Sequence, residues 1–211
     1  MHKTKLEFPL ATKHPHSLEK HGDVRSDDYY WLRDRENPKV IAYLTAENKF
    51  TNEVLSPVKS LETKIFNEMK GRIKEDESTV PAKMGEYYYL ARYEKGQQYP
   101  IYSRKKGSLN APEEVLLNIP ELAQGHNFYE SSGPLISPNQ QIMAFAADTV
   151  GRRFYTMYFK DLKSGKLLPD KIENMSANLV WAADNETVFY SEQHPETLRT
   201  EKVYRYSLKT H

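Results

Sequence analysis

Several groups of side chains in this 211-residue sequence have types and spacings that could do chemistry. His14, His16 and His21 lie within eight residues, with Glu19 and Asp23 nearby, a donor set that could hold a metal ion. A metal site needs its ligands held in place, and this stretch has no helical or strand period, so a solvated arm is the favoured reading. Glu75-Asp76-Glu77 offers paired carboxylates. No apolar wall flanks that run to raise a carboxyl pKa, and it reads as a solvated charge run. Arg104-Lys105-Lys106 with Tyr99 and Tyr102 interleaves cations and aromatics, as single-stranded nucleic acid would require. It also fits the end of a hairpin carrying solvated cations. The balance of 30 Lys+Arg against 29 Asp+Glu, net +1, supplies no electrostatic footprint for nucleic acid. Tyr87-Tyr88-Tyr89 could form a stacking platform, but strand alternation sends its rings to opposite faces, and we read it as packing. The absence of cysteine excludes disulfides, cysteine zinc sites, iron–sulfur ligation and a thiol nucleophile. These residues assign no metal and no cofactor.

The elements that would position these groups fall into two parts. With 28% charged residues the surface is wet, yet 15 Tyr, 8 Phe and 2 Trp supply apolar area that disordered chains lack. Apolar stretches such as Ile142 to Ala147 are far shorter than a membrane span. The opening Met-His-Lys-Thr-Lys-Leu has no apolar core of a secretion signal, so a soluble cytoplasmic protein, bound to neither membrane nor nucleic acid, is expected.

Residues 1–79 read as an extended arm followed by two helices. Asn37-Pro38 is a helix start, Asn as N-cap and Pro in the first turn. Val40, Ile41 and Leu44, then Val54 and Leu55, keep one apolar face. Ser56-Pro57 repeats the start signal, and Val58, Leu61, Ile65 and Met69 follow at helical spacing up to Gly71, which suggests an αα unit. Lys70 to Glu77 reads as a linker. Residues 80–211 turn to short Tyr/Val/Ile/Phe-rich runs separated by turn signals: 86–93, 98–104, 115–119, 142–147, 155–161, 167–168, 188–191 and 203–208. Ile142-Met143-Ala144-Phe145 and Tyr158-Phe159-Lys160-Asp161-Leu162 recur as Val188-Phe189-Tyr190-Ser191 and Tyr204-Arg205-Tyr206-Ser207-Leu208, both at an offset of 46 residues. A period of that size with short strands marks propeller blades, an open antiparallel sandwich being the alternative. The expected fold is mainly β with an N-terminal helical part. Blades fall at about 80–125, 126–172 and 173–211, too few to close a ring.

Specific motifs then point to a family. Asp27-Asp28-Tyr29-Tyr30-Trp31-Leu32-Arg33 resembles an Asp-x-Tyr-x-Trp-Leu signature of the prolyl oligopeptidase family of serine peptidases. Asn37-Pro38 and Tyr43-Leu44-Thr45-Ala46-Glu47-Asn48 resemble the helix after it. Gly71-Arg72-Ile73-Lys74-Glu75-Asp76 and Tyr99-Pro100-Ile101-Tyr102-Ser103-Arg104-Lys105-Lys106-Gly107 are similar to the oligopeptidase B branch. Glu114-Val115-Leu116-Leu117 and Val180-Trp181-Ala182-Ala183-Asp184-Asn185 continue the likeness.

The resemblance implies a cytoplasmic serine endopeptidase that cleaves short peptides after Lys or Arg. It implies an arm, a seven-bladed propeller and a C-terminal α/β-hydrolase domain, of which this chain matches the first third. The hydrolase nucleophile occupies Gly-x-Ser-x-Gly, and here no Ser lies two residues after any Gly. No catalytic residue is therefore assigned, and the chain alone is expected to be inactive. Its expected partners are the missing hydrolase domain and remaining blades, with short peptides as substrates of the intact enzyme and the propeller gating their access. In the family the arm links hydrolase and propeller, so Tyr29, Trp31 and Arg33 are candidate interdomain anchors, with packing against the two helices as the alternative. A free-standing binding module, or a hydrolase with an unrecognised site, are the competing functions.

Overall fold

The computed structural model describes residues 7–208. Met1 to Leu6, read above for a targeting segment, and residues 209–211 lie outside the described residues. The chain divides after Ile73 into two units.

The first unit begins with a β-hairpin where the sequence suggested an irregular arm. Strands β1 (His16–Lys20) and β2 (Asp23–Asp27) pair antiparallel, His16 opposite Asp27 and Lys20 opposite Asp23. The turn is His21-Gly22, both with positive φ (55° and 81°), the backbone that a two-residue primed turn demands. Almost every residue of the hairpin is exposed, so no apolar alternation announces it. A 3-10 turn follows at Tyr30–Arg33. Helix α1 (Pro38–Leu55) starts where the Asn37-Pro38 signal puts it, the Asn37 side-chain oxygen accepting from Lys39 N at 3.0 Å. Helix α2 (Lys59–Gly71) follows a 3-10 turn at Ser56–Val58. Leu55, Ser56 and Lys59 all keep right-handed helical backbone. A 3-10 turn around Pro57 joins the two helices, with Val58 leaving helical backbone at φ −103°. Proline lacks the N–H of a continuous helix but tolerates the turn. Their apolar residues stay open: Ile41, Leu44, Leu61, Ile65, Phe66 and Met69 are 47–63% exposed.

The second unit is antiparallel β. Strands β3 (Ala82–Met84), β4 (Tyr87–Arg92), β5 (Ile101–Lys106) and β6 (Glu114–Asn118) form a four-stranded sheet in chain order. A short helix α3 (Ile119–Leu122) leaves it, with Asn118 as N-cap. The second sheet holds β7 (Glu130–Ser131), β8 (Leu135–Ile136), β9 (Ile142–Asp148), β10 (Tyr155–Asp161), β11 (Leu167–Trp181), β12 (Thr187–Gln193) and β13 (Thr200–Ser207). Strand β11 is far longer than the Leu167-Leu168 run that the sequence suggested. Its first part pairs with β10 and its last part with β12, Met175 meeting both Tyr155 and Glu192. Pro169 and a positive φ of 57° at Asn174 mask it as a strand.

Strand β9 is where the core is made. Met143, Phe145 and Ala147 pack with Leu116 and Leu117 of the first sheet and Ile119 of α3. Ala144 and Ala146 face the other way, toward Met157, Phe159, Met175, Leu179 and Val188. A strand covered on both faces is apolar at consecutive positions, which is why Ile142 to Ala147 shows no alternation. The 46-residue offset is visible as contact between equivalent positions: Trp181 Nε1 donates to Leu135 O at 3.1 Å, and Asn139 N to Asn185 Oδ1 at 2.7 Å. The sheets do not close into a ring, and β13 has no further strand beside it among the described residues.

The turn after β9 is held by one carboxylate. Asp148, 1% exposed, accepts from Val150 N, Gly151 N and Arg153 N at 2.7–3.0 Å. Asp148→Ala should cost about 2 kcal/mol in urea unfolding, since three backbone donors of the turn lose a charged acceptor, and Asp148→Asn clearly less. Alkaline pH offers a second check. Burial, with the Glu130 carboxylate, pushes the Tyr155 phenol up to about 12. The Tyr206 hydroxyl, donating to Asp170 Oδ1 at 2.6 Å, is also pushed up to about 12. A pKa raised on folding gives stability that is present below the unfolded value near 10 and lost as pH climbs to 12. The Tm should therefore fall over that window, and fall less steeply in a Tyr155→Phe/Tyr206→Phe variant.

Candidate functional site

Among the described residues no grouping of His, Asp and Glu is arranged to hold a metal ion. The arm histidines instead make aromatic contacts. His14 meets Trp31 edge-on at 5.5 Å, and His16 stacks on Tyr30 at 4.1 Å with the rings 9° apart. Trp31 Nε1 donates to Thr12 O at 2.9 Å, and His14 N donates to Asp28 O at 2.8 Å. The Arg33 guanidinium lies over the Tyr30 ring and bonds its hydroxyl. Tyr29 takes no part in these ring contacts and remains 43% exposed. So Arg33 packs on Tyr30, a residue the sequence reading missed, while Trp31 packs on His14. Trp31 clasps residues 12–14 of its own arm. The missed signal is the pair of histidines two apart, one for each ring of Tyr30-Trp31.

The charged run before the first sheet is not a free linker. The Glu75 carboxylate accepts from Gly96 N at 3.3 Å, and Glu77 O accepts from Tyr93 N at 2.7 Å. Both bonds tie the run to the β4–β5 hairpin.

Arg104 corrects a second expectation, that of solvated hairpin cations. It is 4% exposed, whereas Lys106 does extend into solvent. Its guanidinium makes a two-point bond to Glu114, 2.8 Å on each arm, and donates to Gln140 O at 2.9 Å. It also lies 3.9 Å over the Tyr87 ring. Burial works against its charge, but the Glu114 and Tyr89 bonds outweigh it and hold the pKa up. Arg104 thereby joins β5 and β6 to the turn before β9. Gln140 completes this joint by donating from Nε2 to Met84 O at 3.0 Å, over Gly85. Gly85 has φ +58°, and a Cβ there would lie 2.0 Å from Gln140 Nε2.

The edge strands of the two sheets share a device. Ser78 pairs with Arg92 and Ala82 with Tyr89, four residues advancing against three. Ser131 pairs with Ala147 and Leu135 with Ala144, again four against three. In each bulge a hydroxyl takes over a ladder bond: Thr79 Oγ1 accepts from Ala91 N at 2.9 Å, and Ser132 Oγ from Ala146 N at 3.0 Å. A proline follows two residues later, Pro81 and Pro134. This Ser/Thr-x-Pro pair, 53 residues apart, was legible in the sequence and went unread.

With this geometry in hand the likeness to known proteins can be weighed. Residues 9–211 match the family described as "Prolyl oligopeptidase, N-terminal beta-propeller domain". The chain belongs to that family. It is 40% identical over 220 aligned residues to a dipeptidyl aminopeptidase BI of Pseudoxanthomonas mexicana, covering 96% of this chain and 30% of the relative. It is 35% identical to a protease 2 of Moraxella lacunata, covering 88% of this chain and 28% of that protein. The structure of oligopeptidase B from Leishmania major superposes with a TM-score of 0.87 at 28% identity, over 98% of this chain and 32% of that one. The chain thus spans about a third or less of the length of the relatives it matches, over their propeller region. It corresponds to the N-terminal propeller region of that family, with sheets that do not close into a ring among the described residues. The catalytic domain is not within these residues, in keeping with the missing Gly-x-Ser-x-Gly.

The Arg104 joint is open to test. Arg104→Lys keeps the charge but loses the planar two-point bond. It should cost about 2 kcal/mol by denaturant unfolding, less than breaking a fully buried pair because Glu114 is partly exposed. Equal stability of the two proteins would show the joint to be dispensable.

Proposed function

We propose that this segment serves an oligopeptidase-B-like serine endopeptidase of the cytoplasm, cleaving short peptides after Lys or Arg. Its part is steric. Blades at about 80–125, 126–172 and 173–211 would belong to a ring whose narrow channel admits flexible peptides and excludes folded proteins. Separation of ring and hydrolase domain would gate entry. The observation that carries this reading is coverage: nearly all of the chain matches propeller sequence, and about 30% of each curated relative is accounted for. The exposed apolar residues of α1 and α2 support it, since such a surface marks a binding face. Tyr29, Trp31 and Arg33 are assigned to the interdomain anchor, with Trp31 holding the arm in shape so that Tyr29 and the arm backbone can reach a partner.

The test is reconstitution. The chain is co-expressed with the remaining two thirds of a relative such as the P. mexicana enzyme. Hydrolysis of a short Arg-containing peptide should require both pieces, and a folded protein substrate should stay intact. Hydrolysis by the chain alone, or equal activity without it, would overturn the reading. Trp31→Ala in the reconstituted pair should release residues 12–14 and weaken association at least severalfold. If association and activity both survive, the anchor assignment fails.

A further inference from the structure

A cleft of about 600 Å³ opens between the bulged edge strands of the two sheets. That volume is in the range of ligand sites. One wall is the segment Thr79–Met84 and the other is Ser132–Ile136, with Tyr89, Tyr102, Ser103 and Leu116 between them. Three features distinguish it from an ordinary packing gap.

The first is charge. Fifteen residues line the cleft and none of them is charged, in a chain that is 28% charged. Val80, on one wall, is 90% exposed although apolar. An ammonium or guanidinium placed here would lose water and gain no counter-ion.

The second is the state of two hydroxyls. Tyr89 and Ser103 carry buried hydroxyls beside the cleft, Tyr89 next to the Arg104 guanidinium, which can only donate to it, and Ser103 next to the Glu113 carboxylate, which can only accept from it. Each neighbour uses one side of its hydroxyl and leaves the Tyr89 donor and the Ser103 acceptor capacity unused, so a ligand that brings a donor or acceptor is favoured.

The third is the backbone. Among the described residues, strands β3 and β8 pair on one side only, with β4 and β9, and their other edges carry peptide groups that no strand takes. Pro81 and Pro134 interrupt those edges, which limits what can add to them to a short extended segment. Gly133 keeps the space open on the second wall: its φ is +76°, and a Cβ would come within 3.0 Å of the Tyr102 hydroxyl.

We infer that this cleft is a peptide subsite that takes one uncharged, apolar side chain, with the flanking peptide backbone along the free strand edges. It would discriminate against Lys and Arg, so it would hold a residue of the peptide other than the basic one at the cleaved bond. The inference rests on the proposed peptidase role for the choice of a peptide as ligand. The cleft itself is tested without any hydrolysis.

The experiment is methyl NMR of the full 211-residue chain, with N-acetyl-leucinamide as probe and N-acetyl-lysinamide as control. Saturable shifts are expected at the methyls of Met84, Leu135 and Ile136, with the lysine probe about tenfold weaker. Ala82→Trp fills the cleft from an exposed strand position and should abolish the leucine response with the Tm unchanged. Ser103→Ala removes one small hydroxyl from the cleft, so it should leave the fold intact and weaken the probe about threefold. Shifts located elsewhere, equal binding of the lysine probe, or no response to either substitution would overturn the inference. Because no turnover is measured, a cleft that binds while reconstitution fails would refute only the peptidase role. A cleft that does not bind beside active reconstitution would refute only the subsite.

Discussion

The second unit depends on one constraint: a β-sheet has two faces, and a strand with apolar side chains on both must be covered on both. Strand β9 meets that condition. Met143 and Phe145 enter the core shared with the first sheet, and Ala144 and Ala146 enter the core shared with β10, β11 and β12. Small residues on one side and large ones on the other let the two cores sit back to back across a single strand. At about 0.8 kcal/mol for each buried methylene, this double burial is the main source of cohesion in the unit.

The polar joints follow from that stacking. Once two sheets are pressed together, the turns at their edges must satisfy one another's backbone groups. Arg104 reaches Gln140 O, Gln140 reaches Met84 O, Lys160 reaches Leu116 O at 2.9 Å, and Trp181 reaches Leu135 O. Each bond runs from a side chain of one repeat to a carbonyl of its neighbour. Such bonds specify the spacing of sheets, where burial alone would allow sliding. The same logic explains why burial falls away toward β13, which is exposed at nearly every position and has no covering sheet among the described residues.

The functional reading has the same root. A stack of twisted sheets leaves its edge strands facing a common side, and the bulges at Thr79–Pro81 and Ser132–Pro134 turn those edges into shaped, proline-limited surfaces.

Local chemistry was legible in the sequence wherever it is decided within a few residues. Asn37-Pro38 set the start of α1, Tyr155–Asp161 was bounded by its turns, and the 46-residue repeat and the family motifs showed an unfinished propeller. Three things were decided by tertiary structure alone. Strand β11 runs through Pro169 and Asn174 because partners on both sides supply its ladder. Arg104 is buried because Glu114, Tyr87 and Gln140 converge on it from three separate segments, and neighbouring lysines gave no hint of this. The His21-Gly22 hairpin is almost wholly exposed, so hydrophobic patterning was silent, and it is this hairpin that brings Thr12 and His14 back to Trp31. Caps and turns are short-range and can be read from neighbours along the chain. The environment of a buried charge or a continued strand is set by residues tens of positions away.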